Sequence, residues 1–206
     1  METNGQLPAT VSTLPVAVDA EAGDNGLGVQ VEGAVQAFKE FGVRTILVGH
    51  ESEINSLLSS LGAKNLPILV HNATETISMD ESPAKAVRRK PDSSLCVAYN
   101  LVELGQASSM ISAGNSGAMM AAGRFISGLL PGIERSAIAT LIPMAGDGPP
   151  NVILDSGANV ECHAHNLVQF AIMGSIYYTS LFEMYNPKVA LLSNGTETAK
   201  GTDVIR

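Results

Sequence analysis

Three segments of the chain share one design: an apolar run, then a loop of glycine, asparagine and small hydroxyl residues, then a helical pattern. They are MISAGNSGAMM over 110–120, ILDSGANV over 153–160 and LLSNGTETAKG over 191–201. In a parallel sheet such loops lie at the carboxyl edge of the strands, where ligands bind, and they present free backbone N–H groups at helix starts. Together they predict an anion site suited to phosphate. Asn115, Ser116, Asn159 and Thr196 are candidate side-chain donors, Gly117, Gly157 and Gly195 offer backbone amides, and Lys200 brings a mobile positive charge. Turn-forming residues would explain any one of these loops; the threefold recurrence carries the reading.

Other chemistry-bearing residues are weaker candidates. Neither a GxGxxG nor a GxxxxGK[ST] fingerprint occurs. The segment VAVDAEAGDNGLG ends its apolar run on an acid, but Asp19, Glu21 and Asp24 would repel a pyrophosphate, so a turn or substrate-shaping role is expected there. Glu161, Cys162, His163 and His165 form a cluster spaced too tightly for a usual zinc site, and no metal is expected. Ser116 and Ser156 lack a nucleophile elbow, which disfavours covalent catalysis. Lys85, Arg88, Arg89 and Lys90 make the one concentrated basic run, on a short helix opened by Ser82 and Pro83. Such a run is a solvated face or a dock for an acidic partner. Lys85, Arg88 and Arg89 fall at i, i+3 and i+4 and share a face, whereas Lys90 lies off it.

The elements that must position these residues follow a βαβ rhythm. Strands are expected at 14–18, 44–48, 67–70, 109–112, 137–142, 152–154 and 188–192, most without polar alternation, as in a parallel sheet covered on both faces. Helices are expected at 30–41, 51–61, 83–90, 94–104, 117–129 and 165–184. Residues 1–13 read as a flexible tail and 14–206 as one α/β domain, with no internal repeat or dividing linker. The last residues read as a helix cut off within about a turn, so the chain is expected to be truncated and to leave apolar surface uncovered.

Composition sets the limits. With 206 residues and 45% hydrophobic, the chain can bury a sizeable core. Twenty acidic against twelve basic residues, a net charge of −8, argues against a nucleic-acid partner. Two cysteines, Cys96 and Cys162, with no CxxC spacing, fit free thiols in a reducing compartment, and no basic leader marks secretion, so a cytoplasmic location is expected. The longest apolar segment, 167–182, is polar-interrupted and shorter than the roughly 20 residues a membrane span needs.

In order along the chain, VAVDAEAGD, DESPAKAVRRKPDSS, SAGNSGAMMAAG, PGIERSAIATLIP, LDSGANVECHAHNLVQFAIMGSIYY and NPKVALLSNGTETAKG resemble segments of the bacterial phosphate acyltransferase family of phospholipid synthesis. SAGNSGA, and LDSGANV followed by QFAIMGS, are the most specific. That family moves a fatty acyl group from acyl carrier protein to inorganic phosphate. The resemblance implies an open α/β/α sandwich with a mainly parallel sheet, like isocitrate and isopropylmalate dehydrogenases, and a homodimer without cofactor. It assigns Asn115, Ser116 and Gly117, the 155–159 loop and Lys200 to the active-site cleft, with Asp155 either accepting a proton from phosphate or holding the Gly157 loop. It also implies that full-length relatives continue past residue 206 and associate peripherally with membrane. Departures from the family pattern are Glu21-Ala22 in place of Met-Gly, Pro91 in place of a lysine and Ser193 in place of an asparagine. Two alternatives stand beside this reading: a phosphate acetyl- or butyryltransferase using acyl-CoA, and a truncated non-catalytic paralogue that binds acyl carrier protein or another partner.

Overall fold

The computed structural model describes residues 14–146, 148–193, 195, 201 and 204. The expected tail at 1–13 and the expected terminal helix opening, apart from Val204, lie outside the described residues. The chain divides after Gly128 into two compact units.

The first unit is α/β. Strands β1 (Val16–Asp19), β2 (Thr45–Gly49), β3 (Leu69–Asn72) and β4 (Ser109–Ile111) form a parallel sheet in the order β3-β2-β1-β4. Helices α1 (Gly26–Phe41), α2 (Glu51–Ser60), α3 (Pro83–Arg89), α4 (Ser94–Glu103) and α5 (Ser116–Ala122) complete it, with a π-helical turn at Gly123–Ser127. The strand period of two sorts the core onto both faces of the sheet. Val18 and Leu47 pack with Val31, Val35, Ile54 and Leu58 of α1 and α2. Ala17, Ile46 and Val48 pack with Ala98 and Leu101 of α4. All of β2 is buried, which explains its unbroken apolar run.

Expected and observed elements differ at the ends. Helix α1 begins at Gly26 rather than at residue 30 because its first turn is glycine-rich, a composition that weakens helical propensity without forbidding the helix. It stops at Gly42, whose φ of 68° is the left-handed cap geometry and whose N–H donates to the Phe38 carbonyl at 2.9 Å. Ser82 and Pro83 occupy the predicted cap and first positions of α3, but the Ser82 hydroxyl makes no capping bond.

In the second unit, β5 (Ala139–Ile142) and β6 (Asn151–Leu154) pair antiparallel. An antiparallel pair of this kind stands beside the parallel four-stranded sheet, in keeping with the expected mainly parallel arrangement. Helix α6 (Ala164–Phe182) packs on β6, with Gly174 against Leu154. Residues 188–192, expected as a strand, form none. Their side chains have β character, but a strand exists only with a ladder partner, and no described residue pairs with them. They line one side of a cavity of about 740 Å³ whose other walls are β6 and α6. Among the described residues, no helix is long and apolar enough to cross a membrane.

Candidate functional site

In the first unit the sheet order sends the chain from β1 to β2 on one side, while β4 lies on the other. The loops leaving β1 and β4 therefore diverge at the carboxyl edge, the place where open α/β sheets bind ligands. Asp19 ends β1 and is only 3% exposed. Its Oδ2 accepts a hydrogen bond from the Ser112 hydroxyl at 2.8 Å, and Ser112 Oγ accepts from the Gly114 N–H at 3.1 Å. Asp19 Oδ1 has no hydrogen bond of ordinary geometry. Burial pushes the Asp19 pKa up, opposed by the nearby Ser94 and Ser112 hydroxyls. Sequence reasoning gave Asp19 only a shaping role; the available signal was an acid closing a fully apolar strand.

Beside it, Glu21 Oε1 accepts from the His50 backbone N–H at 2.8 Å and meets its Nδ1 at 2.9 Å. That hydrogen bond to Glu21 raises the His50 pKa. A Cβ on Gly49 would lie 2.6 Å from Glu21 Oε1, so the pair depends on glycine there.

The loop after β4 carries three predicted residues. Asn115 Oδ1 accepts from the Ala118 N–H at 3.0 Å, capping α5. Its Nδ2 faces the carbonyls of Ser78 (3.4 Å), Met79 (3.0 Å) and Glu81 (3.2 Å). The side-chain donor expected for an anion is therefore spent on joining α5 to the 78–81 turn. Ser116 is exposed and opens α5. Gly117 lies against α3, where an added Cβ would stand 2.7 Å from Pro83 Cγ.

That contact seats the basic helix beside the loop. Lys85, Arg88 and Arg89 are exposed, and the Arg88 guanidinium lies 4.5 Å over the Phe125 ring. Lys90 turns away, reaching Glu81 Oε1 at 2.6 Å and the Thr76 carbonyl at 2.7 Å.

In the second unit Asp155 organises the 155–159 loop. Its carboxylate accepts from the N–H groups of Ile138 (2.9 Å), Ala158 (3.2 Å) and Asn159 (2.7 Å), and from Asn159 Nδ2 (2.8 Å). Asn159 Nδ2 also donates to the Ser136 carbonyl at 2.9 Å, so this predicted anion donor too is engaged within the protein. Gly157 is exposed, and its φ of 87° is one that glycine adopts without strain. Arg135 Nη1 donates to the Glu161 carbonyl at 2.6 Å.

The Glu161 to His165 cluster is divided among other duties. His163 caps α6 with Asn166 in a reciprocal box, and His165 Nε2 meets Glu134 Oε2 at 2.7 Å. Among the described residues no group of three His, Cys, Asp or Glu side chains is arranged to hold a metal ion. Gly195 is half-buried; Thr196 and Lys200 lie outside the described residues.

The family described as fatty acid synthesis protein matches residues 14–206. Among curated relatives, the phosphate acyltransferase of Geotalea daltonii is 48% identical over 191 residues, covering 93% of this chain and 55% of its own length. Those of Trichlorobacter lovleyi and Geobacter sulfurreducens are 47% and 46% identical with the same coverage. The chain thus spans about half the length of the curated relatives it matches.

Proposed function

The chain belongs to the fatty acid synthesis protein family, and from that premise we propose that it is a phosphate acyltransferase, transferring a fatty acyl group from acyl carrier protein to inorganic phosphate for phospholipid synthesis. The observation that carries this reading is the 46–48% identity, over 93% of the chain, to proteins named for that activity. In this reaction a phosphate oxygen attacks the thioester carbonyl, the tetrahedral adduct collapses, and the pantetheine thiolate leaves and takes up the proton carried by phosphate. The nucleophile is a substrate, so the protein's work is positioning and charge stabilisation.

In this reading the phosphate-contacting candidates of the first unit are the Gly117 amide and the Ser116 hydroxyl, and those of the second are the amides of Gly157 and Gly195, the Thr196 hydroxyl and the Lys200 ammonium. Asn115, Asp155 and Asn159 hold the loops that present those groups, a division of labour supported by their internal hydrogen bonds. Lys85, Arg88 and Arg89 meet the acidic carrier protein. The complete fold is of the isocitrate dehydrogenase type, and the protein works as a cytoplasmic homodimer with peripheral access to membrane. The test is incubation with palmitoyl-acyl carrier protein or palmitoyl-CoA and phosphate, trapping acyl phosphate with hydroxylamine. Phosphate-dependent hydroxamate from the carrier-protein thioester supports the reading. Product from the CoA thioester alone turns it to the acyl-CoA enzyme, and none from either refutes both.

A further inference from the structure

The 155–159 loop is clamped along one side by residues 136–138. Ile138 N–H donates to Asp155 at 2.9 Å, Ser156 N–H to the Ile138 carbonyl at 3.0 Å, and Asn159 Nδ2 to the Ser136 carbonyl at 2.9 Å. The residue that precedes this clamp is Arg135. Its guanidinium crosses to the far end of the same loop, donating from Nη1 to the Glu161 carbonyl at 2.6 Å. Among the described residues this is the one partner of its five N–H donors.

Arg135 forms no ion pair with any described residue, and the Asp155 carboxylate is engaged by amide donors. Glu134, its sequence neighbour, is paired with His165. Among the described residues of the second unit, Arg135 and Lys188 alone are basic. A guanidinium anchored at the surface through a carbonyl, with N–H donors left over among the described residues, has the planar fork that grips a tetrahedral oxyanion. The exposed Gly157 N–H, with no hydrogen bond of its own among the described residues, stands in the same loop.

We propose that Arg135 is a phosphate-binding residue beside the 155–159 loop, gripping either free inorganic phosphate or the phosphate ester of a pantetheine arm. The inference rests on the acyltransferase reading above for its ligand and on the clamp and the unpaired guanidinium for its place.

The experiment is titration of the 206-residue chain with inorganic phosphate and, separately, with 4′-phosphopantetheine, followed by calorimetry and by the arginine side-chain N–H resonances. In the wild type, at least one of the two should bind saturably and shift the Arg135 Nε–H and Gly157 N–H signals. Arg135→Gln keeps a donor for the Glu161 carbonyl and loses the charge, so its affinity should fall roughly ten- to hundredfold, the loss expected for one charge-assisted contact. Arg135→Lys keeps the charge and should stay within about tenfold of wild type, above Arg135→Gln. Loss for phosphate identifies the free anion as ligand, and loss for phosphopantetheine alone identifies the ester. Should Arg135→Gln unfold, the wild-type Arg135 resonance still decides: no shift at saturation overturns the proposal. Saturable phosphate binding that moves only the 114–117 signals, or is equal in the Gln and Lys variants, removes Arg135 from the site and leaves the acyltransferase reading standing. Binding of neither ligand overturns both.

Discussion

Asn115→Ala should destabilise the first unit well beyond what a half-exposed loop residue normally does. Truncation removes the cap on Ala118, about 1 kcal/mol, and two amide protons shared among the carbonyls of Ser78, Met79 and Glu81, about 1 kcal/mol each. Partial exposure lets water replace some of this, leaving about 2 to 3 kcal/mol, or a Tm lower by roughly 6 to 12 °C. Two companion variants separate the contributions. Asn115→Ser retains a capping oxygen and should recover roughly 1 kcal/mol. Asn115→Asp is nearly isosteric and keeps the cap, yet turns a carboxylate toward three carbonyl oxygens, so it should be no more stable than the alanine variant. Urea unfolding followed by circular dichroism, with amide exchange at Ala118 as a local check, measures all three. An alanine variant within 0.5 kcal/mol of wild type, the limit for an unimportant surface change, or an aspartate variant matching wild type, would refute the assignment of Asn115 to joining α5 with the 78–81 turn.

Asp19→Asn should change the pH dependence of stability. Because burial raises the Asp19 pKa, the folded chain keeps a proton that the unfolded chain has lost between the ordinary carboxylate value and the raised one. Stability is therefore fully present below the ordinary value and falls as pH rises through the folded value; the variant should lose that decline, seen as a urea midpoint that gains on wild type from pH 4 upward. Gly117→Ala brings a Cβ to 2.7 Å from the Pro83 ring, and the overpacking, about 1 to 3 kcal/mol, should exceed the gain of up to about 1 kcal/mol in helical propensity; a Tm at or above wild type would show that α3 yields freely. Arg88→Glu with Arg89→Glu should raise the KM for acyl carrier protein several-fold at low salt, less at high salt, and leave the KM for phosphate unchanged; equal rises in both would make the patch part of the phosphate site.

What could be read from sequence divides along local and non-local lines. Strands β1 and β2 announce themselves through apolar runs, because burial on both faces leaves little room for polar interruption. The segment at 188–192 has the same composition but no ladder, and pairing is not written in the segment itself. The loops are legible by their glycines, but the contacts of the Asn115 and Asn159 amides with Ser78, Glu81 and Ser136 are not, because those partners lie far off in sequence. Arg135 passed unnoticed for the same reason, since its significance depends on the carbonyl of Glu161 across the loop.

The π-helical turn at Gly123–Ser127 follows α5 without a break. Such a turn accommodates about one residue more than an α-helical turn, and one residue is worth about 100° of rotation about the axis. The ring of Phe125, which carries the Arg88 guanidinium, therefore owes its azimuth to a single surplus residue. Deleting one residue within 123–127 would restore ordinary winding while swinging the ring out from under the arginine. Length variation at this point would thus act on the rigidity of the cationic surface with no basic residue altered, making insertion and deletion, as much as substitution, a route by which its properties can drift.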